Sequence, residues 1–204
     1  MSPIDLDHIL SVLGAANWNA DEQSRARAAG GLALTVYEGH IRDQGTPYLQ
    51  HPLAVVTLLR TEIGIDRPGT LLLALLHDAL EVTPESEAAV TRHLGRPFTA
   101  RLRAMTADHR LEQRPKSSGD EGRWRTKQAA LPPEDLLVRL ADRLHNLRDL
   151  AASPNLERRR RFLQSLHDFH LPLAEAARHL TPELEAMCGL LHAEYVQHQP
   201  EVRP

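Results

Sequence analysis

"LALLHDALEV", residues 73–82, sets a histidine and an aspartate side by side inside an otherwise apolar run. Six of the eight other residues are Leu or Ala, and the run reaches back through Leu71 and Leu72. Burying a carboxylate there costs several kcal/mol unless it is paired or bound to a metal. The stretch therefore implies two things at once. A helix apolar on every face belongs in a core, and the end of that helix must carry a site that compensates Asp78.

Working outward, nearly every periodic segment also reads as helix, because Leu and Ala dominate and β-branched alternation is almost absent. Helices are predicted near 4–14, 20–40, 52–64, 69–81, 84–94, 97–107, 122–130, 133–151, 156–168 and 170–197, the last broken near Thr181-Pro182. GTP at 45–47, DRPG at 66–69, TPE at 83–85 and LPPED at 131–135 supply the stops and starts. The polar segment 108–122, DHRLEQRPKSSGDEG, is expected to be a mobile loop, a common place for a functional lid. The expectation is one all-α domain, 1–204, a bundle of roughly eight to ten helices. The motifs lie within 20–150, and 151–204 packs on them.

Composition narrows the class. The 204 residues are 42% hydrophobic, enough for a real core, and no stretch approaches the length of a membrane span. The first residues, MSPIDLDHILSVLG, lack the basic flank and cleavage site of a secretory signal. With a single cysteine, Cys188, no disulfide framework is available, and a cytoplasmic location is expected. A formal charge of −3 argues against general nucleic-acid binding. The basic run ERRRRF at 157–162 reads as the wet face of a helix. Twelve histidines in this length are the first hint of metal or acid–base chemistry.

Two more residues interrupt apolar surroundings as His77 and Asp78 do. His51 follows the turn GTPYLQ with Pro52 behind it, and Asp142 sits inside LLVRLADRLHNL. Two imidazoles and two carboxylates form a mixed nitrogen and oxygen set suited to Mn²⁺, Fe²⁺ or Zn²⁺. Each also has a plainer reading: a buried histidine is commonly a hydrogen-bonded core residue, and Asp142 has Arg139 and Arg143 nearby to pair with. A second His-Asp pair at 167–168 adjoins polar Gln164 and Ser165 and is expected to face solvent.

The order H…HD…D resembles the HD superfamily of metal-dependent phosphohydrolases. More narrowly, "GHIRDQGTPYLQHP" (39–52), "ALLHDALE" (74–81) and "RLADRLHNLRDL" (139–150) resemble the hydrolase domain of RelA/SpoT-type proteins and the free-standing small alarmone hydrolases. That resemblance implies Mn²⁺-dependent hydrolysis of the 3′-pyrophosphate of guanosine tetra- or pentaphosphate. It places His51, His77, Asp78 and Asp142 at metal-ligand positions. Glu81, one turn beyond the HD pair, falls where the family orients or deprotonates the attacking water. Asn146, one turn beyond Asp142, matches the family's asparagine, while His145 is expected to point into packing. Arg42 falls where the family keeps an arginine near the base, and Arg148 is a candidate for the pyrophosphate. Arg125 and Lys127, in WRTK at 124–127, are further candidates for phosphate contact.

Three positions depart from the pattern: Asp43 stands where the family usually has lysine, Val82 where it has aspartate, and Asp149 where threonine is frequent. Asp43 and Val82 are expected to weaken polyphosphate binding. The rival readings are an HD enzyme acting on another nucleotide, such as NADPH or a nucleoside phosphate, and a catalytically weak nucleotide-binding module.

Overall fold

The computed structural model describes residues 4–198 and, among them, is built of helices with no strand. The last six residues of the expected C-terminal packing region, 199–204, lie outside the described residues. The N-terminal helices are α1 (Leu6–Leu13), α2 (Ala20–Val36), α3 (Gln50–Thr61), α4 (Pro68–Leu76) and the single turn α5 (Ala79–Val82). Next come α6 (Glu87–Leu94), α7 (Arg96–Met105), the short α8 (Asp108–Leu111), α9 (Asp120–Ala129) and α10 (Pro133–Arg148). The chain ends in α11 (Leu156–Ser165), α12 (Leu171–Ala177) and α13 (Pro182–Gln197).

The central post is α4. Every residue from Thr70 to Leu76 is buried, as a helix apolar on all sides requires. It packs against α1, α2, α3, α7 and α10. The helix stops at His77–Asp78, where Asp78 adopts φ −98° and ψ 1°, and α5 restarts one residue later. The predicted helix 69–81 is thus two helices, and the break turns the HD pair out of the apolar stack. Alongside runs α10, which buries Leu136, Leu137, Leu140, Leu144 and Leu147 and carries Asp142 on the stripe facing α3 and α4. The core is one cluster extending from Ile9 to Leu191.

Several boundaries moved for local reasons. α2 ends at Val36 rather than near 40, because residues 37–49 form a turn-rich connection. Within it Gly45, at φ 82°, closes a tight loop with the Gly45 N–H donating to the Arg42 carbonyl at 2.9 Å. α3 begins at Gln50, so Pro52 is its third residue, still within the first turn where no N–H is needed. The last expected helix breaks at Thr181-Pro182 as anticipated, the Thr181 side chain accepting from the Leu184 N–H at 3.1 Å.

The segment 108–122 departs most from expectation. It contains α8, and its remainder is held by Asp120, which is 3% exposed. Asp120 accepts a two-pronged contact from Arg114 at 2.7 and 2.8 Å, the Ser117 N–H at 2.6 Å and Arg123 at 2.5 Å. The Arg114 guanidinium, with Ser117 and Arg123, holds the Asp120 carboxyl far below the usual carboxylate range. A depressed carboxylate stabilises the fold above its ordinary pKa of about 4, and that contribution is lost as the pH falls toward the folded value. Protection of the 112–119 amides, taken relative to their intrinsic exchange rates, should therefore be high at neutral pH and fall below about pH 4. Asp120→Asn should show the low protection already at neutral pH and be nicked by trypsin after Lys116. Equal protection in variant and wild type would show that the loop is held by something else.

Candidate active site

The break after α4, the first turn of α3 and the middle of α10 converge on one point. His51 Nε2 lies 3.1 Å from Asp142 Oδ1 and 3.6 Å from Asp78 Oδ2. His77 Nε2 lies 3.2 Å from Asp78 Oδ2 and 3.6 Å from Asp142 Oδ1. The structure thus brings together all four residues singled out as ligand candidates, three of them 2% exposed or less. The same contacts also contain the plainer reading of Asp142, since Arg139 and Arg143 both reach it.

The two oxygens of Asp142 are divided between these tasks. Oδ2 accepts from Arg139 Nη1 at 2.9 Å and from Arg143 at 3.0 and 2.6 Å. Oδ1 faces the imidazoles and accepts from Asn146 Nδ2 at 2.5 Å. The arginines neutralise the buried charge and fix the carboxylate plane, leaving Oδ1 aimed at the centre. Burial would raise Asp142, but Arg143, then His51 and His77, outweigh it and hold the carboxyl well below its usual range. Burial acts on Asp78 in the same sense, and His77 reverses it, so Asp78 also stays ionised. Burial would lower His77, yet Asp78 and Asp142 push it up to about 10.

The donor set fits a divalent ion. His77 Nδ1 sits 2.7 Å from the Ala74 carbonyl, the contact that makes Nδ1 the donor there and turns Nε2 toward the two carboxylates as the atom that would meet an ion. That Nε2 is buried and has no hydrogen-bond partner. His51, His77 and Asp78 each place a ligand atom within 4.8 Å of the others. His51 Nδ1 is 2.9 Å from His145 Nδ1. Burial, and then the nearby His51, lower His145 to about 4, so it is neutral and can accept the His51 proton. His145, expected in packing, instead meets the His51 ring. Tyr48 was also missed. Its hydroxyl donates to Asp78 Oδ2 at 2.9 Å, and its ring stacks on Tyr37 with centroids 5.5 Å apart. A tyrosine one turn ahead of His51 was the available signal.

The cluster opens into a cavity of about 410 Å³ lined by Arg42, Tyr48, Glu81, Arg143, Asn146 and Phe162 among others. A neighbouring polar cavity of about 310 Å³ shares Glu81 and Arg143 and adds Arg110, Lys116 and Arg139. A larger one, about 680 Å³, is lined by Ile4, Leu34, Leu49, Glu38 and His40 among others and includes none of the four clustered residues. Glu81 stands between the two polar cavities, one turn beyond Asp78, its N–H bonded to the Asp78 carbonyl at 3.0 Å. Burial, then the Asp78 charge, raise its carboxyl, the direction a proton acceptor needs.

The substrate-side expectations fare differently. Arg42 reaches the cavity but is 8% exposed in its side chain, with Nη1 on Asp149 and Nη2 on Asn146, both at 2.6 Å. Asn146 is correspondingly occupied at both ends, bridging Asp142 to Arg42. Arg148 is turned away: it forks onto Glu62 at 2.7 and 2.8 Å and reaches Glu194 at 3.1 Å, tying α10 to α3 and α13. Arg125 pairs with Glu121 at 3.0 Å and lies over the Phe169 ring. Lys127 staples α9 to the Asp108 carboxylate at 2.6 Å and the Thr106 carbonyl at 2.9 Å. None of these three lines either polar cavity. Val82 packs on the core rather than lining the cavity, so it leaves no gap there. Asp43 does not stand as a bare charge either, because Arg158 and Ser153 bind it.

The chain can be set against known proteins on this geometry. It is 32% identical over 171 residues to the bifunctional (p)ppGpp synthase/hydrolase SpoT of Escherichia coli K12, covering 82% of this chain and 24% of that protein. It is 29% identical over 158 residues to a guanosine-3′,5′-bis(diphosphate) 3′-pyrophosphohydrolase of Haemophilus influenzae, covering 76% of this chain and 23% of that one. The chain thus spans about a quarter of the length of these relatives. A solved structure of a metazoan ortholog of SpoT, described as hydrolysing ppGpp, superposes with a TM-score of 0.67. It covers 89% of this chain and 97% of that one at 24% identity, which is likeness of fold. The HD domain family matches residues 29–178, a span that contains all four clustered residues and Glu81, and the chain belongs to that family.

Proposed function

We propose that this chain hydrolyses the 3′-pyrophosphate of guanosine tetra- or pentaphosphate, releasing GDP or GTP and pyrophosphate, with Mn²⁺ as its cofactor. One observation carries the reading: two imidazole Nε2 atoms and two carboxylates meet at the floor of a polar cavity, and a raised glutamate stands at its mouth. Relatives named for this hydrolysis support the substrate. A cytoplasmic nucleotide pool fits it, and no helix among the described residues is long and apolar enough to cross a membrane.

His51, His77, Asp78 and Asp142 would hold the ion. A divalent ion there supplies Lewis acidity, lowering the pKa of water and drawing charge from phosphoryl oxygens. The chain's own residues do the rest. Glu81 takes the proton from the attacking water, and the raised direction of its carboxyl favours that role. Tyr48 holds Asp78 through one oxygen, and Arg139 and Arg143 hold Asp142 through the other side of its carboxylate, so neither ligand swings. Asn146 is a positioning residue that locks Asp142 to Arg42. Arg143 also faces both polar cavities and lends positive potential where phosphate charge must be accommodated.

With Mn²⁺, purified protein is expected to cleave guanosine tetraphosphate in preference to NADPH and simple nucleoside phosphates. Preferential cleavage of NADPH, or none of the panel cleaved, would contradict the substrate. Glu81→Gln should keep Mn²⁺ affinity within a few-fold by equilibrium dialysis while turnover falls about 10²-fold or more. Parallel loss of metal would make Glu81 a ligand instead. Asp142→Ala should lose both the bound Mn²⁺ and the rise in melting temperature that Mn²⁺ gives the wild type. It also strands Arg139 and Arg143, so Asp142→Asn, which keeps the volume and removes the charge, is the paired control.

A further inference from the structure

Three arginines line the cavity above the ligand cluster, and they are not equivalent. Arg42 has both terminal nitrogens committed, to Asp149 and Asn146. Arg143 has Nε and Nη2 on Asp142 and its face over the Phe162 ring at 5.6 Å. Arg158 differs from both. It is 46% exposed in its side chain and meets a single carboxylate, Asp43, which the Ser153 hydroxyl also holds at 2.9 Å. A guanidinium has five N–H groups, so one carboxylate leaves donors unoccupied on a side chain that lines the cavity.

The position is built rather than incidental. Arg158 lies in the first turn of α11, whose N-cap Asn155 accepts the Arg158 N–H at 2.9 Å. Phe162 is one turn further on the same face and lines the same cavity. Arg159 donates to the Ala151 carbonyl, while the side chains of Arg160 and Arg161 are 84% and 71% accessible. The run is thus not uniformly a wet face. Half-exposed Arg158 and, one turn on, Phe162 line the same cavity as His51 and Asp78.

We propose that Arg158, positioned by Asp43 and Ser153, is the arginine of this chain that binds the phosphates of the nucleotide remote from the scissile group. The proposal deepens the alarmone-hydrolase reading and rests on it for the identity of the nucleotide. A polyanion entering the cavity takes the free N–H groups of Arg158 in forked contacts, as guanidinium groups favour. Asp43 holds the half-exposed side chain at the cavity wall. An aspartate after Arg42 therefore places a cation in the cavity from another helix.

The test compares wild type, Arg158→Ala, Arg158→Lys and Asp43→Asn in two measurements. In steady state with saturating Mn²⁺, Arg158→Ala should raise KM for guanosine tetraphosphate about tenfold, with kcat falling less than about threefold. Arg158→Lys should recover part of the loss, and Asp43→Asn should give a smaller rise in KM. In metal-free protein, calorimetric titration with guanosine tetraphosphate should show the same order of affinities without turnover. A fall in kcat at constant KM, or equal affinity of Arg158→Ala and wild type, would overturn the proposal. If wild type cleaves no alarmone, the activity reading fails by itself. Arg158 is then judged by titration with guanosine tetraphosphate, NADPH and GTP. Equal binding by wild type and Arg158→Ala for all three, or no binding by wild type, overturns it.

Discussion

Two carboxylates buried against an apolar post set the terms for the rest of this structure. Asp78 lies two residues beyond the end of α4, and Asp142 is 1% exposed on α10. Neither is tolerable as a bare charge in that setting. The surrounding architecture supplies the compensation. Arg139 and Arg143 take one oxygen of Asp142, Tyr48 takes one of Asp78, and two imidazoles occupy the space between. His77 Nε2 and Arg139 Nε remain buried without a hydrogen-bond partner, and Nε2 lies 3.2 Å from Asp78 Oδ2. The imidazole nitrogens turned toward two carboxylates are what favour reading the centre as a site rather than as a core ion-pair network alone.

The arginine clamp also explains how a helical bundle holds ligands from three separate segments in register. Arg139 reaches the Met105 carbonyl at the end of α7 and stacks over Trp124 of α9 with its guanidinium 5.0 Å from the ring centroid. Asp142 is thereby tied to the two helices flanking the adjoining cavity. On the other side Asn146, Arg42 and Asp149 link α10 to the 37–49 connection that leads into His51. Ligand geometry is thus distributed through polar contacts on both flanks of α10, over a leucine core that fixes where α10 lies against α4.

The parts legible in the sequence were those with a strong local or periodic signature. The apolar run 71–76 announced the core post, and four polar interruptions of apolar helix announced the cluster. What the sequence hid was orientation. Periodicity placed His145 beside Asn146 but did not show that its ring would meet His51 from another helix. Arg125, Lys127 and Arg148 looked like spare cations, whereas each has a carboxylate partner distant in the chain or one helical turn away. The converse holds for ERRRRF, where a run of like charges concealed two residues that line the cavity. Segment 108–122 looked mobile by composition, and Asp120, a residue counted there as polar filler, is the one that anchors it. In each case the deciding quantity was which partner the side chain meets in three dimensions, which composition and spacing do not encode.

The central claim is that His51, His77, Asp78 and Asp142 form one metal site, with the arginines holding Asp142 from behind. Crystals soaked in Mn²⁺ and measured at the manganese absorption edge test it most directly. The account predicts a single anomalous peak within bonding distance, about 2.0–2.3 Å, of His51 Nε2, His77 Nε2 and one oxygen each of Asp78 and Asp142. Arg139 and Arg143 should remain on the outer oxygen of Asp142. Anomalous density elsewhere, with the four residues still paired among themselves, would contradict it.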